Sequence, residues 1–174
     1  VELNETPSVT IGQESPWADG VSSLIQLLDD YLFARYPAEA RHILDLDQLA
    51  APSIVLLIAR VDGVAVGCGA VRFMADVDIP YAEIKRMFVH PGYRGRGIAK
   101  SIISGLEEVA RDRGLSLIRL ETGIHQPEAN GLYERAGYRL CGSFGEYVEN
   151  GISVFFEKGL KPHPGPLLGK ERES

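Results

Sequence analysis

Apolar positions along the chain follow first one period and then another. Between Gly20 and Tyr36 they fall at Val21, Leu24, Ile25, Leu28, Tyr31 and Leu32, the spacing that turns one helix face toward a core. Ser22 or Ser23 is a candidate cap at the start, and Pro37 closes the segment. A weaker helical pattern covers Ala38 to Leu49. An extended stretch lies around Val9 to Ile11, and β-branched runs occupy Ile54–Val61 and Val64–Ala75 on either side of Asp62-Gly63. That dipeptide predicts a tight hairpin, because both central positions of such a turn need left-handed backbone. A strand follows at Tyr81–Val89, then a helix over Gly97–Arg113 with a buried stripe of Ile98, Ile102, Leu106 and Val109 or Ala110, and Gly114 as its cap. Leu115–Glu121 reads as a buried strand. Pro127–Ala136 reads as a short helix, with Pro127 suited to its first position and Gly137 to the position past its end. Tyr138–Cys141 and Ile152–Glu157 complete the set as strands.

Antiparallel hairpins followed by strand–helix–strand–helix–strand predict an α/β fold, in detail an α+β mixed sheet with helices packed on it and at least one right-handed crossover. The 174 residues suffice for one domain with its own core, placed here at residues 1–160. From Lys161 the composition turns to Pro, Gly and charge, so 161–174 is expected to be a flexible tail. No apolar run approaches the ~20 residues that span a bilayer. The first residues carry neither a basic nor an apolar leader, so the expected location is the cytoplasm, away from any membrane. Cys68 and Cys141 lack metal or redox spacing and read as reduced, buried small hydrophobes. His42, His90 and His163 also lack ligand spacing, and no metal is expected.

Charge changes the picture locally. With 18 basic against 24 acidic residues the net charge is −6, which argues against a nucleic-acid partner. Yet Lys85, Arg86, Arg94, Arg96 and Lys100 lie in one stretch without a carboxylate, and Gly92, Gly95 and Gly97 are set among them between a strand end and a helix start. Glycines there let backbone N–H groups converge on an anion, and the helix terminus adds its positive dipole end. A P-loop register is absent, and a dinucleotide fingerprint fails because Lys100 stands where the third glycine belongs.

The stretch Arg94-Gly-Arg-Gly-Ile-Ala99 resembles the Gln/Arg-x-x-Gly-x-Gly/Ala pyrophosphate loop of the GNAT N-acetyltransferase superfamily, and it follows a strand, Ala82 to Val89, as in that family. Downstream, Asn130-Gly-Leu-Tyr133 with Gly137-Tyr138 resembles the second signature. The resemblance implies a mostly antiparallel, splayed sheet and an acyl-coenzyme A co-substrate, usually acetyl-CoA, whose acyl group passes directly to an amine. It implies that the backbone of Arg94, Gly95, Arg96, Gly97, Ile98 and Ala99 holds the pyrophosphate, with Arg94, Arg96 or Lys100 assisting other phosphates. Met87, Phe88 and Val89 would pair with pantetheine, an N–H of Phe88 or Val89 polarising the thioester carbonyl. Tyr133 would protonate the leaving sulfur and Asn130 would bind cofactor or a bridging water. Glu83 matches the position of a general base in some members, and reads equally as an ion-paired carboxylate beside Lys85. His125 is a further candidate base that reads more readily as a surface residue.

By the same resemblance, Leu27–Leu49 and Gly142–Gly151 shape the acceptor side. They hold Asp29, Asp30, Glu39, Asp45, Asp47, Glu146 and Glu149 against Arg35 and Arg41, so a small cationic amine or a basic peptide group is the expected acceptor. Homodimers are common in the family. The competing readings are a non-catalytic acyl-CoA sensor and an unrelated nucleotide-binding domain. A ligand that binds only the folded state raises its stability. Acetyl-CoA is therefore expected to raise the melting temperature in a thermal-shift measurement; ATP or NAD doing so in its place would overturn the resemblance.

Overall fold

The computed structural model describes residues 8–163. One sheet contains β1 (Val9–Gln13), β2 (Ile54–Val61), β3 (Val64–Met74), β4 (Tyr81–Val89), β5 (Leu117–Gly123), β6 (Arg139–Cys141) and β7 (Ser153–Gly159), in the order β1-β2-β3-β4-β5-β7-β6. The helices are α1 (Val21–Phe33), α2 (Leu46–Leu49), α3 (Ile98–Asp112) and α4 (Pro127–Arg135). Every neighbouring strand pair is antiparallel except β4–β5, which α3 joins as a crossover. The expected mixed, mostly antiparallel sheet flanked by helices is what forms. One face packs on α3 through Leu57, Val71, Ile84, Ile102, Leu106, Leu120 and Phe156. The other packs on α1 through Leu24, Leu28, Leu56, Ile58 and Phe88.

Local chemistry explains where elements start and stop. Asp62 (φ 49°) and Gly63 (φ 82°) both adopt the left-handed backbone that the β2–β3 hairpin requires. The start of α1 corrects the sequence reading: Gly20, at φ 74°, precedes the helix with no side-chain cap, and Ser22 and Ser23 lie inside it. The expected helix over Ala38–Leu49 does not form. A 3-10 turn at Ala38–Ala40 gives way to extended backbone, and only Leu46–Leu49 is helical. Asp45 sets that boundary: its carboxylate accepts from the Gln48 N–H (2.8 Å) while the Gln48 side chain accepts from the Asp45 N–H (2.9 Å). β5 starts at Leu117 and extends to Gly123, two residues beyond the expected end. At the other terminus the Lys161 carbonyl accepts from Arg111 Nε (3.0 Å), so the start of the expected tail rests on α3; residues 164–174 lie outside the described residues.

Two irregularities make room for a site. Between β3 and β4 the register shifts from Cys68↔Phe88 to Ala70↔Lys85, so Arg86 and Met87 together oppose Gly69. A Cβ on Gly69 would stand 2.6 Å from Met87 Sδ and 2.7 Å from Ile102 Cγ2, which leaves no room for a side chain there. Arg86 occupies left-handed backbone at φ 60°, a conformation that costs a non-glycine residue about 1–3 kcal/mol. Beneath it, the buried Cys68 thiol donates to the Arg86 carbonyl (3.1 Å), and burial pushes that thiol up to about 12. Cys141 is half-buried, and both cysteines are free. The second irregularity is the β4–β5 pairing, which runs only through Ala82↔Ile118, Glu83↔Arg119 and Ile84↔Leu120. Past Ile84 the two strands part.

No helix among the described residues is long and apolar enough to cross a membrane. A close approach at the end of β5 yields a test. A Cβ on Gly123 would overlap the hydroxyl and ring of Tyr36. Gly123→Ala is expected to lower unfolding stability by about 1–3 kcal/mol through overpacking. An unchanged midpoint in denaturant titration would show that Tyr36 moves aside freely.

Candidate active site

The gap between β4 and β5 leads to the N-terminus of α3. Gly95 (φ 78°) and Gly97 (φ 76°) hold left-handed backbone there, and no side chain caps the helix. The N–H groups of Ile98, Ala99 and Lys100 therefore lack intrahelical acceptors and can receive an anion, with the helix dipole behind them. Gly92 serves differently, donating its N–H to His90 Nδ1 at 3.0 Å. A groove of about 510 Å³ runs from this terminus, walled by Met87, Phe88 and Val89 on one side and Ala129, Leu132 and Tyr133 on the other. Arg94, Gly95, Gly97, Ile98 and Ala99 also line it, so most of the expected cofactor residues share one wall. Arg94 donates from Nε to the Val89 carbonyl (3.0 Å), which ties the loop to the strand end.

Two expected residues lie off the groove walls. Arg96 stacks its guanidinium 5.1 Å from the centre of the Tyr93 ring. Asn130 donates from Nδ2 to the Gly123 carbonyl (3.3 Å), pinning α4 to the end of β5, while its Oδ1 is buried without a partner among the described residues. The far end of α4 is fixed as well. Lys158 Nζ donates to the Ala136 carbonyl (2.8 Å) and to Glu107 (2.8 Å), onto which the Tyr138 hydroxyl also donates (3.4 Å). Tyr133, buried between Tyr138 and Phe156, is thereby set at the bottom of the groove. Burial alone raises its pKa, so the phenol keeps its proton.

Tyr133, with Leu28, Met87 and Gln126, also lines a second cavity of about 100 Å³ on the α1 side. Tyr36, Arg41, His42, Lys85, Arg86, Glu121 and Thr122 form the rest of its polar wall. Arg86 and Met87, the two consecutive residues that the bulge sets against Gly69, both line it, as does Lys85 before them. Glu121 stands one residue past the last β4–β5 pair. Burial is the main cause that raises its pKa to about 7, with Glu83 adding to it and Ser153 and Lys85 opposing it. His42 is pushed below its ordinary value by burial and by Lys85, which keeps the imidazole neutral at pH 7.

Glu83, the base suggested by resemblance, is fully buried on neither cavity wall. One oxygen accepts from Arg72 (2.9 Å), the other accepts from the Tyr147 hydroxyl, and Lys85 Nζ lies 3.4 Å away. Lys85 in turn donates to the Tyr147 oxygen and to the His42 carbonyl. His125 is exposed and off both walls; its backbone N–H donates to the Tyr36 hydroxyl (3.2 Å). Of the acidic residues expected to face the acceptor, Asp29 alone reaches the site, where it pairs with Arg86. Asp45 caps α2, and Asp30, Glu39, Asp47, Glu146 and Glu149 are exposed away from the cavity. His163 sits at the surface 3.0 Å from Glu108 and 2.8 Å from Asp112. The sequence reading passed over Glu121, Tyr36 and Tyr147. Its one available signal was a carboxylate at the C-terminal end of a buried strand.

Known proteins carry the same architecture. The model of the Acetyltransferase (GNAT) family matches residues 21–138. The chain is 46% identical over 154 residues to a protein of Azospirillum brasilense named IAA acetyltransferase, covering 88% of this chain and 99% of that one. It is similar to a Klebsiella pneumoniae structure assigned to the acyl-CoA N-acyltransferases (TM-score 0.76, 35% identity, 88% and 98% covered). It also shares its fold with the PaiA N-acetyltransferase of Thermoplasma acidophilum solved with coenzyme A (TM-score 0.64, 19% identity, 87% and 99% covered). With the helix terminus, the open strand pair and the central tyrosine in place, the chain belongs to the GNAT acetyltransferase family and is an acyltransferase.

Proposed function

We propose that the chain is an N-acetyltransferase that moves the acetyl group of acetyl-CoA directly to an amine bound beside it. One observation carries this reading: the groove from the α3 terminus and the cavity holding Glu121 meet at Tyr133. The amides of Ile98, Ala99 and Lys100 would hold the pyrophosphate, and the edge of β4 from Met87 to Val89 would pair with pantetheine. A backbone N–H of Phe88 or Val89 would polarise the thioester carbonyl. Acetyl-CoA supplies the activated acyl group; the protein supplies two proton transfers and alignment.

An alkylammonium with a pKa near ~10.4 must lose a proton before it can attack. Glu121, poised near about 7 in the cavity wall, is the group placed to take it, directly or through water. The nitrogen then forms a bond to the acetyl carbon while the carbon–sulfur bond breaks. Tyr133 gives its proton to the departing sulfur and recovers one as the new amide nitrogen sheds its second. Glu83, saturated by Arg72 and Tyr147, holds Tyr147 and Lys85 in place.

Thiol release from acetyl-CoA against an amine panel tests the reading; CoA binding without turnover on any amine would favour the sensor. Glu121 accepts a proton only in its charged form. At saturating acetyl-CoA, kcat/KM is thus expected to rise as pH passes upward through about 7. Glu121→Gln should abolish that limb and lower the rate by about 10²–10⁴-fold, and Tyr133→Phe should cost about 10²-fold. A limb that persists in Glu121→Gln would exclude Glu121 as the base. Glu83→Gln leaves Arg72 without its carboxylate and should cost stability by about 3 kcal/mol, with the pH limb retained.

A further inference from the structure

The wall of the α1-side cavity carries a residue that the acyl-transfer reading does not use. The Arg86 side chain is 3% exposed, and its Nη2 is engaged by Asp29. Its Nε and Nη1 are buried with no hydrogen-bond partner among the described residues. A guanidinium cannot shed its charge, and a buried donor left unpaired costs about 1–3 kcal/mol. Arg86 also occupies strained left-handed backbone in the β4 bulge. Strain and two unpaired guanidinium donors at one residue mark a position kept for a ligand.

Arg86 is absent from the walls of the CoA groove, so the phosphates gathered at the α3 terminus are not its partners. It lines the cavity that holds Glu121 and Tyr133. Arg41 joins it there from the segment after α1, and Lys85 from the neighbouring position in β4. The nearby carboxylates answer these cations only in part: Glu83 lies 3.4 Å from Lys85 Nζ, and the Nε and Nη1 of Arg86 stay unpaired. Glu83 is taken by Arg72 and Tyr147, and Asp29 by one Arg86 nitrogen. Glu121 is the remaining carboxylate on the wall, and the reaction needs it for the amine.

Resting on the N-acetyltransferase reading above, we propose that the acceptor is a small amine carrying its own carboxylate, chemically an amino acid. Its carboxylate sits on Arg86 and Arg41, and its amino group faces Glu121 and the thioester. This replaces the cationic amine or basic peptide expected from the acidic residues of the two acceptor segments. Those carboxylates lie elsewhere, and a cavity of about 100 Å³ takes a small molecule more readily than a peptide. Charge complementarity fixes orientation: reversing the acceptor would set its ammonium against arginine and its carboxylate against Glu121.

The test pairs L-alanine, L-phenylalanine, L-tyrosine and L-lysine with ethylamine, phenethylamine, tyramine and cadaverine, the amines left when the carboxyl group is removed. Thiol release is measured with acetyl-CoA in the full chain. The expected result is a kcat/KM at least tenfold higher for the amino acid in one or more pairs. Arg86→Lys keeps a cation for Asp29 but lacks the guanidinium nitrogens, and Arg41→Gln changes a residue at the cavity wall without touching that ion pair. Each should shrink the preference toward unity, chiefly through KM. Equal or higher rates for the decarboxylated partners would overturn the proposal while leaving the acetyltransferase reading intact. Turnover of no amine would overturn that reading alone, and calorimetry on the CoA-loaded chain then decides. Amino acids binding where their decarboxylated partners do not, with the preference lost in Arg86→Lys, would sustain the carboxylate site; no such preference would sink it.

Discussion

Three residue pairs of parallel strand, Ala82 to Ile84 against Ile118 to Leu120, are the hinge on which this molecule is organised. Backbone donors and acceptors along a strand edge demand partners, and a sheet that stops pairing halfway leaves a row of them open. The fold keeps that opening from spreading through the core beneath it. Ile102 and Leu106 of α3 belong to one apolar cluster with Val71 and Ile84 on one side of the gap and Ile118, Leu120 and Phe156 on the other. The halves are thus joined from below while their edges stay apart above. α4, pinned by Asn130 at one end and Lys158 at the other, closes the far side of the gap and sets Tyr133 where the two openings meet.

The charges follow the same division. At the α3 terminus, cations and helix N–H groups lie close to solvent, where any single pair contributes little and the array matters. On the α1 side the charges are buried, and each one is either matched or costly. Arg72 with Glu83, and Asp29 with Arg86, are matched. Glu121 is not matched by a hydrogen-bonded cation, and burial carries it toward neutrality. A protein with a net charge of −6 therefore places its acidic excess on the outside and a few isolated ionisable groups around the α1-side cavity.

Much of this was legible from local patterns. Asp62-Gly63 announced its hairpin, because the required backbone is open to few other pairs. The loop from Arg94 to Ala99 stood out because glycine, positive charge and a helix start coincide within one short stretch, and the helix does start there. Tyr133 was singled out by the resemblance of Asn130-Gly-Leu-Tyr133 to a family signature, and it lines the groove. What escaped notice depends on contacts distant in sequence. Glu121 and Arg86 acquire their meaning from the termination of one strand pair and the bulge in another, and neither leaves a local mark. The segment after α1 misled for a related reason: its apolar spacing resembles a helix, but the Asp45–Gln48 capping box begins a helix only at Leu46. Of the acidic residues nearby, Asp29 apart, none reaches the cavity, because composition counts charges without regard to the direction they face.

One small feature bears on how such a protein lives with its own product. Acyl transfer from a coenzyme A thioester liberates a thiol, and this chain carries a cysteine, Cys68, buried under the β4 bulge. Thiol–disulfide exchange requires a thiolate and an approach path. Cys68 has neither: it is enclosed, its hydrogen is directed to the Arg86 carbonyl, and its ionisation is displaced to about 12. Sulfur there fills the space under the bulge and satisfies a carbonyl freed from the strand ladder, yet stays inert toward oxidised coenzyme A. A released thiol or its disulfide therefore finds no route to capture Cys68 as a mixed disulfide.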